Sequence, residues 1–130
     1  MNYTLDQQTL IRVKRAWEFL EKADEAVSDH DLNEMIINLY RACFSIIQAH
    51  LFHSKITVKN HDDLKIYFHE NYVRKGLIPL DTEKIYAKLY ILRRQILEED
   101  IEFLDESKCT HYTRQTQLFV SAVGKLIKSD

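Results

Sequence analysis

The stretch from Met35 to Leu51 constrains the fold more than any other part of this sequence. Apolar side chains recur along it with helical spacing, at positions 35, 36, 39, 40, 43, 44, 46, 47 and 51. The apolar stripe is wider than a helix with one solvent-exposed side requires, so neighbouring elements must cover this helix from more than one direction. The pattern therefore predicts the central helix of a small helical bundle.

The scarcity of turn-forming residues also favours a helical fold. The 130 residues include only two glycines and one proline, which favours long helices joined by short loops over a sheet. A chain of this length is expected to form one domain over residues 1–130 and to bury roughly two-thirds of the surface of the unfolded chain. The formal net charge of -2 gives no reason to infer a nucleic-acid or membrane partner from bulk electrostatics.

Helical periodicity and capping residues predict an all-α bundle of five helices, a four-helix up-and-down core followed by a C-terminal helix. The first helix is expected to reach about Ser28, the second about Ser54, and the third the stop signal Arg74-Lys75-Gly76. The acidic run over 98–106 places anions at the end of the fourth helix, which predicts an irregular turn there. The predicted N-caps are, in order, Thr4 in a capping box with Gln7, Asp29 or Asp31, Asn60 or Asp62, Asp81, and Asp105 or Ser107.

Apolar residues at helical spacing identify the faces that should enter the core. The predicted faces of the first, fourth and fifth helices are Leu10, Val13, Trp17, Leu20 and Val27; Ile85, Leu89, Leu92 and Ile96; and Tyr112, Leu118, Phe119, Val123 and Ile127. Four tyrosines could stack on nucleic-acid bases if they were exposed near cations, namely Tyr67, Tyr72, Tyr86 and Tyr90. Their helical spacing favours the edge of the core instead.

The cysteines and histidines give little support for a metal site or a disulfide. Cys43 lies on the apolar stripe, where a buried thiol acts as a small hydrophobe, and neither Cys43 nor Cys109 belongs to a C-x-x-C pair. His50 and His53 could share a metal at i, i+3 spacing, but no third ligand accompanies them. We therefore expect no metal or other cofactor. The N-terminus lacks a signal-peptide pattern and no segment approaches the ~20 apolar residues of a membrane span, so a cytoplasmic location without membrane contact is expected.

Two adjacent arginines near the end of the fourth helix are the best candidates for a functional site. Their side chains should point about 100° apart. In one interpretation Arg94 forms a surface ion pair with Glu98 at i+4 and both arginines are solvated. In the other, Arg93 is in register with Leu89 and projects into a groove, where it could bind a phosphate.

Four short strings, in this order and spacing, resemble the HEPN family of small helical domains. They are Asn38-Leu39-Tyr40-Arg41-Ala42-Cys43-Phe44, Lys59-Asn60-His61, Tyr72-Val73-Arg74-Lys75-Gly76-Leu77-Ile78-Pro79 and Leu89-Tyr90-Ile91-Leu92-Arg93. The resemblance covers about 16–127 and is closest to the small bacterial and archaeal HEPN proteins. The first string carries Arg41 where the family pattern has a second tyrosine. That arginine is expected either at the edge of the stripe, reaching solvent, or in the same cleft as Arg93.

The resemblance implies a ribonuclease motif that this sequence carries only in part. In active HEPN proteins an arginine is followed four to six residues later by a histidine, whereas a second branch has Arg-x-x-x-Asp-Tyr and a minimal nucleotidyltransferase as partner. Arg93 matches the arginine, but Leu97 and Glu98 stand where Asp-Tyr would be, and Glu98 also replaces the histidine. No catalytic residue is assigned firmly, and Arg93 and Glu98 are the candidates. The candidate ligand-binding residues are Arg93, Arg94, Arg41, Tyr40 and His61.

Three hypotheses follow for the function. The first is a homodimeric HEPN-like module without the nuclease histidine, which binds a nucleotide, RNA or a nucleotidyltransferase in a toxin–antitoxin-type system. The second is a divergent, metal-independent ribonuclease that uses Arg93 with Glu98 or His61. The third is a purely structural helical bundle, which would be favoured if Arg93 and Arg94 were both fully solvated and far from any cleft.

Overall fold

The computed structural model describes residues 6–129, and the regular structure in that range is entirely helical. Its five α-helices are α1 (Gln7–Ser28), α2 (Leu32–His53), α3 (His61–Phe68), α4 (Leu80–Glu98) and α5 (Cys109–Ser129). A π-helical turn, His69–Val73, extends α3, and a 3₁₀ turn, Glu106–Lys108, precedes α5. The predicted all-α, five-helix bundle is therefore confirmed.

Helix α2 is the centre of the bundle, as its apolar stripe predicts. It packs most extensively against α1 and also contacts α4 and α5. Many of its large apolar side chains are fully buried, including Met35, Ile36, Leu39, Tyr40, Ile46 and Ile47. Contrary to the expectation from the sequence, this helix is by length and composition long and apolar enough to cross a membrane, but 72% of its apolar window lies buried inside the bundle. Packing against the other helices therefore accounts for its apolar character.

Side-chain caps define the starts of α1, α2 and α3. Asp31 caps α2, where its carboxylate accepts a hydrogen bond from the Glu34 backbone N–H at 3.1 Å, and Asp105 caps the turn before α5. The predicted N-cap of α4 was wrong. Pro79 holds that position, because its fixed backbone suits a helix start, and Asp81 lies in the first turn. Thr4 lies outside the described residues, and Asp6 caps α1.

The core faces of α1 and α5 differ in part from the predicted ones. Leu10 and Trp17 are 48% and 43% exposed, and Leu118 is 54% exposed. In α1 the small residues Thr9, Ala16 and Ala23 are buried. They are seven residues apart, and Thr9 and Ala16 directly precede the exposed Leu10 and Trp17. Small side chains let two helix backbones approach closely, which fits the extensive packing of α1 on α2. The alanines therefore form the contact and the larger residues flank it.

The connections on either side of α4 follow the predicted signals. The chain leaves the π-helical turn at Gly76, whose φ of 76° lies in the left-handed region that glycine adopts without strain. After Glu98 the acidic segment has no regular structure until Glu106. It is held to the bundle by the Phe103 backbone N–H, which donates to the Asn33 side chain at 2.8 Å. The predicted irregular turn is thus confirmed.

Candidate functional site

A cleft of about 410 Å³ opens between α1, α2, α4 and the start of α3. We call it the arginine cleft. Its lining residues come from all four elements and are Arg15, Phe19, Tyr40, Arg41, Phe44, Ser45, Gln48, His61, Arg93 and Leu97. The lining is cationic and aromatic, and it contains no carboxylate.

Three arginines from three different helices meet in this cleft. Arg15 lies on α1, Arg41 on α2 and Arg93 on α4. Within the described part of the chain, no carboxylate oxygen lies within 4.0 Å of their guanidinium nitrogens. Aromatic rings support two of them, since the guanidinium carbon of Arg93 lies 5.0 Å from the Tyr40 ring centroid and that of Arg41 lies 5.9 Å from Phe19. A cation–π contact orients a guanidinium without neutralising it.

His61 is held in the cleft from three sides. It is the first residue of α3, and the side chain of the preceding Asn60 caps that helix. The Nδ1 atom lies 2.8 Å from the Tyr40 hydroxyl, and the ring stacks on Phe44 with centroids 4.3 Å apart. Burial and the nearby positive charge of Arg93 lower the pKa of His61 below its usual value. The imidazole is therefore neutral at pH 7.

Tyr40 joins the cleft to the core. Its side chain is 1% exposed, and its ring stacks on that of the buried Tyr86 with centroids 6.0 Å apart. Burial raises the pKa of Tyr40 to about 12, although Arg93 acts in the opposite direction. The phenol therefore stays protonated at neutral pH and can donate or accept a hydrogen bond.

Arg94 and Glu98 lie beside the arginine cleft and not in it. They line a neighbouring cavity of about 260 Å³, which shares His61 and Arg93 with the cleft. The Arg94 Nε lies 3.5 Å from a Glu98 carboxylate oxygen, and a terminal nitrogen lies 3.4 Å from Asp62. The predicted surface ion pair of Arg94 is thus present. Arg93, by contrast, is half-buried in the cleft.

The structure brings together four of the candidate residues and adds three charged or aromatic lining residues that the sequence analysis did not propose for a site. Arg93, Arg41, Tyr40 and His61 share the cleft, while Arg94 and Glu98 face the neighbouring cavity. The additional residues are Arg15, Phe19 and Phe44. The sequence indicated these residues only through the i, i+4 spacing of Arg15 and Phe19 on α1. A cation and an aromatic residue at this spacing are too common to identify a site. Tyr72 and Tyr86 are buried and Tyr67 and Tyr90 half-buried, as expected for tyrosines of the core and its edge.

The two histidines at the end of α2 take no part in this site. His50 and His53 lie in the last turn of α2, and His50 Nδ1 forms a hydrogen bond with the Tyr72 hydroxyl. Over residues 6–129, no three histidine, cysteine or acidic side chains are grouped as a metal ion requires.

A comparison with known families identifies the domain. The family model described as the HEPN domain matches residues 10–126. The chain belongs to the HEPN family. A UPF0332 protein from Thermotoga maritima is similar to it, with 22% identity over 115 residues, which cover 88% of this chain and 87% of that protein. The resemblance to the HEPN family that the sequence analysis found is therefore confirmed.

In this HEPN domain, the histidine in the arginine cleft comes from α3 and not from α4. Glu98, where the sequence resemblance led us to expect the family's histidine, forms an ion pair with Arg94. His61 is the histidine that lies beside Arg93 in the described part of the cleft. A spacing rule along α4 does not reveal this arrangement, because the two residues are 32 positions apart in the sequence.

Proposed function

We propose that this HEPN protein is a binding module whose arginine cleft holds the phosphate of a nucleotide or RNA without cleaving it. The observation that carries the proposal is the convergence of three arginines without carboxylate partners on a cleft with aromatic walls. Such cations are costly to hold close together unless an anion binds between them. Because no carboxylate lines the cleft, the ligand is expected to supply the negative charge that balances the arginines.

The chemistry of the lining favours a nucleotide over other anions. Guanidinium groups bind phosphate oxygens through paired, charge-assisted hydrogen bonds. One part of the Phe19 ring contacts Arg41 and one part of the Phe44 ring stacks on His61. Both side chains are only half-buried, and the remaining ring surface in the cleft is apolar and suits the stacking of a base. The volume of about 410 Å³ lies within the range of roughly 300–1,000 Å³ that is typical of small-ligand sites.

The proposal is tested by fluorescence-anisotropy titration with a labelled RNA hexamer and by calorimetry with AMP. Arg93→Ala and Arg41→Ala should each weaken binding by roughly 10- to 150-fold, because removing one charge-assisted contact costs on the order of 1.5–3 kcal/mol. Arg114→Ala removes the same charge from an exposed position on α5, outside the cleft. It should change the affinity less than twofold. Equal losses in all three variants, or no binding by the natural protein, would refute the proposal.

A specific observation favours a second candidate, a divergent and metal-independent ribonuclease. Arg93 and His61 line the same cleft, so an arginine to stabilise phosphate charge and an imidazole to move a proton are both present. Incubation of RNA with the protein in EDTA tests this function. Cleavage that is lost in both His61→Ala and Arg93→Ala would establish it. Intact RNA, together with binding in the first assay, supports the binding module.

Membership of the HEPN family supports further proposals about partners. We propose that the protein is a soluble, cytoplasmic homodimer in a toxin–antitoxin-type system with a minimal nucleotidyltransferase as partner. Sedimentation at micromolar concentration tests the dimer, and a monomer alone would contradict it. Co-expression with a nucleotidyltransferase encoded by a neighbouring gene tests the partnership, which predicts a complex that survives gel filtration.

A further inference from the structure

We infer that Tyr40 fixes His61 in the tautomer with hydrogen on Nε2, so that His61 is a neutral hydrogen-bond donor to the ligand's phosphate and not a proton-transfer group. The role in recognition rests on the proposed function, whereas the tautomer does not. The inference starts from one buried contact, the 2.8 Å hydrogen bond between the Tyr40 hydroxyl and His61 Nδ1.

The burial of Tyr40 decides which group donates in this bond. If Nδ1 carried the hydrogen, the Tyr40 hydroxyl would accept, and its own hydrogen would need a second acceptor inside the core. Over residues 6–129, His61 is the one group at normal hydrogen-bond geometry from this hydroxyl. The buried Tyr86 hydroxyl also acts on Tyr40, outside normal hydrogen-bond geometry, and it does so as a donor and not as an acceptor. A buried donor without an acceptor is strongly disfavoured. Tyr40 therefore donates to Nδ1.

The surroundings of His61 keep the imidazole neutral. Arg93 on α4 lies close to it, Arg15 on α1 and Arg41 on α2 line the same cleft, and Asp62 follows it in α3. Arg94 and Glu98 face it from the neighbouring cavity and pair with each other. The unpaired cations oppose a further positive charge, and the hydrogen bond to Nδ1 is made to the neutral form.

A neutral imidazole whose Nδ1 accepts a hydrogen bond carries its hydrogen on Nε2. His61 lines both the arginine cleft and the neighbouring cavity, and Nε2 has no hydrogen-bond partner in the described part of the chain. This N–H is therefore available to a phosphate oxygen, beside the guanidinium of Arg93. Nε2 carries the hydrogen and the lone pair of Nδ1 is occupied by the hydrogen bond from Tyr40, so neither ring nitrogen is free to take a proton from a 2′-hydroxyl. The geometry thus favours recognition over catalysis by this histidine.

Long-range ¹H–¹⁵N correlation spectra of the uniformly ¹⁵N-labelled protein measure the tautomer directly, with no ligand present. At pH 7.5 the His61 Nδ1 signal should have the shift of an unprotonated nitrogen and Nε2 that of a protonated one. Tyr40→Phe removes the donor, so both tautomers should appear and the pKa of His61 should rise. A natural protein with its hydrogen on Nδ1 would overturn the inference.

The RNA affinity of His61 and Tyr40 variants tests whether His61 contributes to phosphate recognition. An RNA hexamer without terminal phosphates suits this assay, because its phosphodiesters do not titrate between pH 6 and 8. His61→Ala should weaken binding about tenfold, whereas His61→Gln, whose amide can donate from a similar position, should lose threefold or less. Tyr40→Phe should bind more tightly at pH 6 than at pH 8, because protonation then adds a positive charge, while the natural protein should show little change.

The two parts of this experiment separate the inference from the proposed function. If the natural protein binds neither RNA nor AMP, the proposed function fails, and the spectra still decide the tautomer. If it binds and His61→Ala binds equally well, the recognition role of His61 is wrong although the cleft is the binding site. Circular dichroism of each variant confirms that the loss of affinity is not a loss of folding.

Discussion

Arg41 illustrates how a single side chain acquires a role from its neighbours. It is exposed, and the sequence alone allowed it either to reach solvent from the edge of the α2 stripe or to share a cleft with Arg93. The structure places it in the arginine cleft, beside Phe19 of α1. Arg41 is therefore exposed to the cleft and accessible to a ligand, although it lies on the most buried helix.

Cys43 is a second residue whose properties depend on its neighbours. It lies in the core, and its thiol should be unreactive in the folded protein. It is fully buried, and burial raises the pKa of its thiol well above the usual range. Because the thiolate is the reactive form, we expect a thiol reagent at pH 8 to modify Cys43 at least about a hundredfold more slowly in the native protein than in urea, where local opening no longer limits access.

Cys109 provides an internal control for this test. Cys109 lies at the start of α5 and lines a groove beside α1, so it should react first. Mass spectrometry of peptides from briefly labelled protein distinguishes the two sites. Modification of Cys43 at the rate of Cys109 would show that α2 is less protected than the structure indicates.

At the scale of the element, α3 is a short helix whose position depends on its cap. It has eight residues, fewer than an isolated helix needs to be stable in water. The side chain of Asn60 accepts a hydrogen bond from the Asp63 backbone N–H at 2.8 Å. The cap therefore fixes the start of α3, and with it the backbone of His61.

Asn60→Ala should lower the free energy of unfolding by about 1 kcal/mol, the usual cost of removing a helix N-cap. Urea denaturation followed by circular dichroism measures the change. Asn60→Ser keeps a capping oxygen and should retain most of the stability, and Lys59→Ala, at the exposed neighbouring position, should stay within about 0.5 kcal/mol. If Lys59→Ala were as costly as Asn60→Ala, the cap would not be the source of the effect.

At the scale of the whole molecule, the bundle depends on α2 because three other helices pack on it. Ile46 is fully buried on this helix, and its Cδ1 lies 3.9 Å from the position that a Cβ at Gly124 of α5 would occupy. Ile46→Ala should destabilise the protein by about 2–5 kcal/mol, the sum of lost burial and a cavity. Urea denaturation should show one cooperative transition at a lower midpoint.

Ile91→Ala is the matched control for that prediction. Ile91 is 50% exposed on α4, so the same change should alter the stability by no more than about 0.5 kcal/mol. A similar loss in both variants would mean that the outer face of α4 is covered in solution, as a dimer would require. Repeating the Ile91→Ala measurement at several protein concentrations distinguishes that case, since a dimer's stability rises with concentration.

The sequence by itself determined the helices, the central place of α2, the irregular acidic segment and the family. These properties follow from local signals: apolar spacing, capping side chains and turn residues act over a few positions, and the four family strings are each contiguous. The cap of α4 was missed because Pro79 acts through its fixed backbone and not through a side-chain hydrogen bond. Local signals also left open which flank of an apolar face is buried, as Trp17 on α1 shows.

Only the tertiary structure decided the composition of the arginine cleft. Arg15, Arg41, His61 and Arg93 come from four helices, and no periodicity relates residues on separate elements. Their meeting depends on how closely α1 packs on α2 and on where the cap places the start of α3. The family's spacing rule directed attention to Glu98 along α4, whereas packing placed His61 beside Arg93. The central helix could be recognised from its own residues, but the site built on its Tyr40 and Arg41 required the fold.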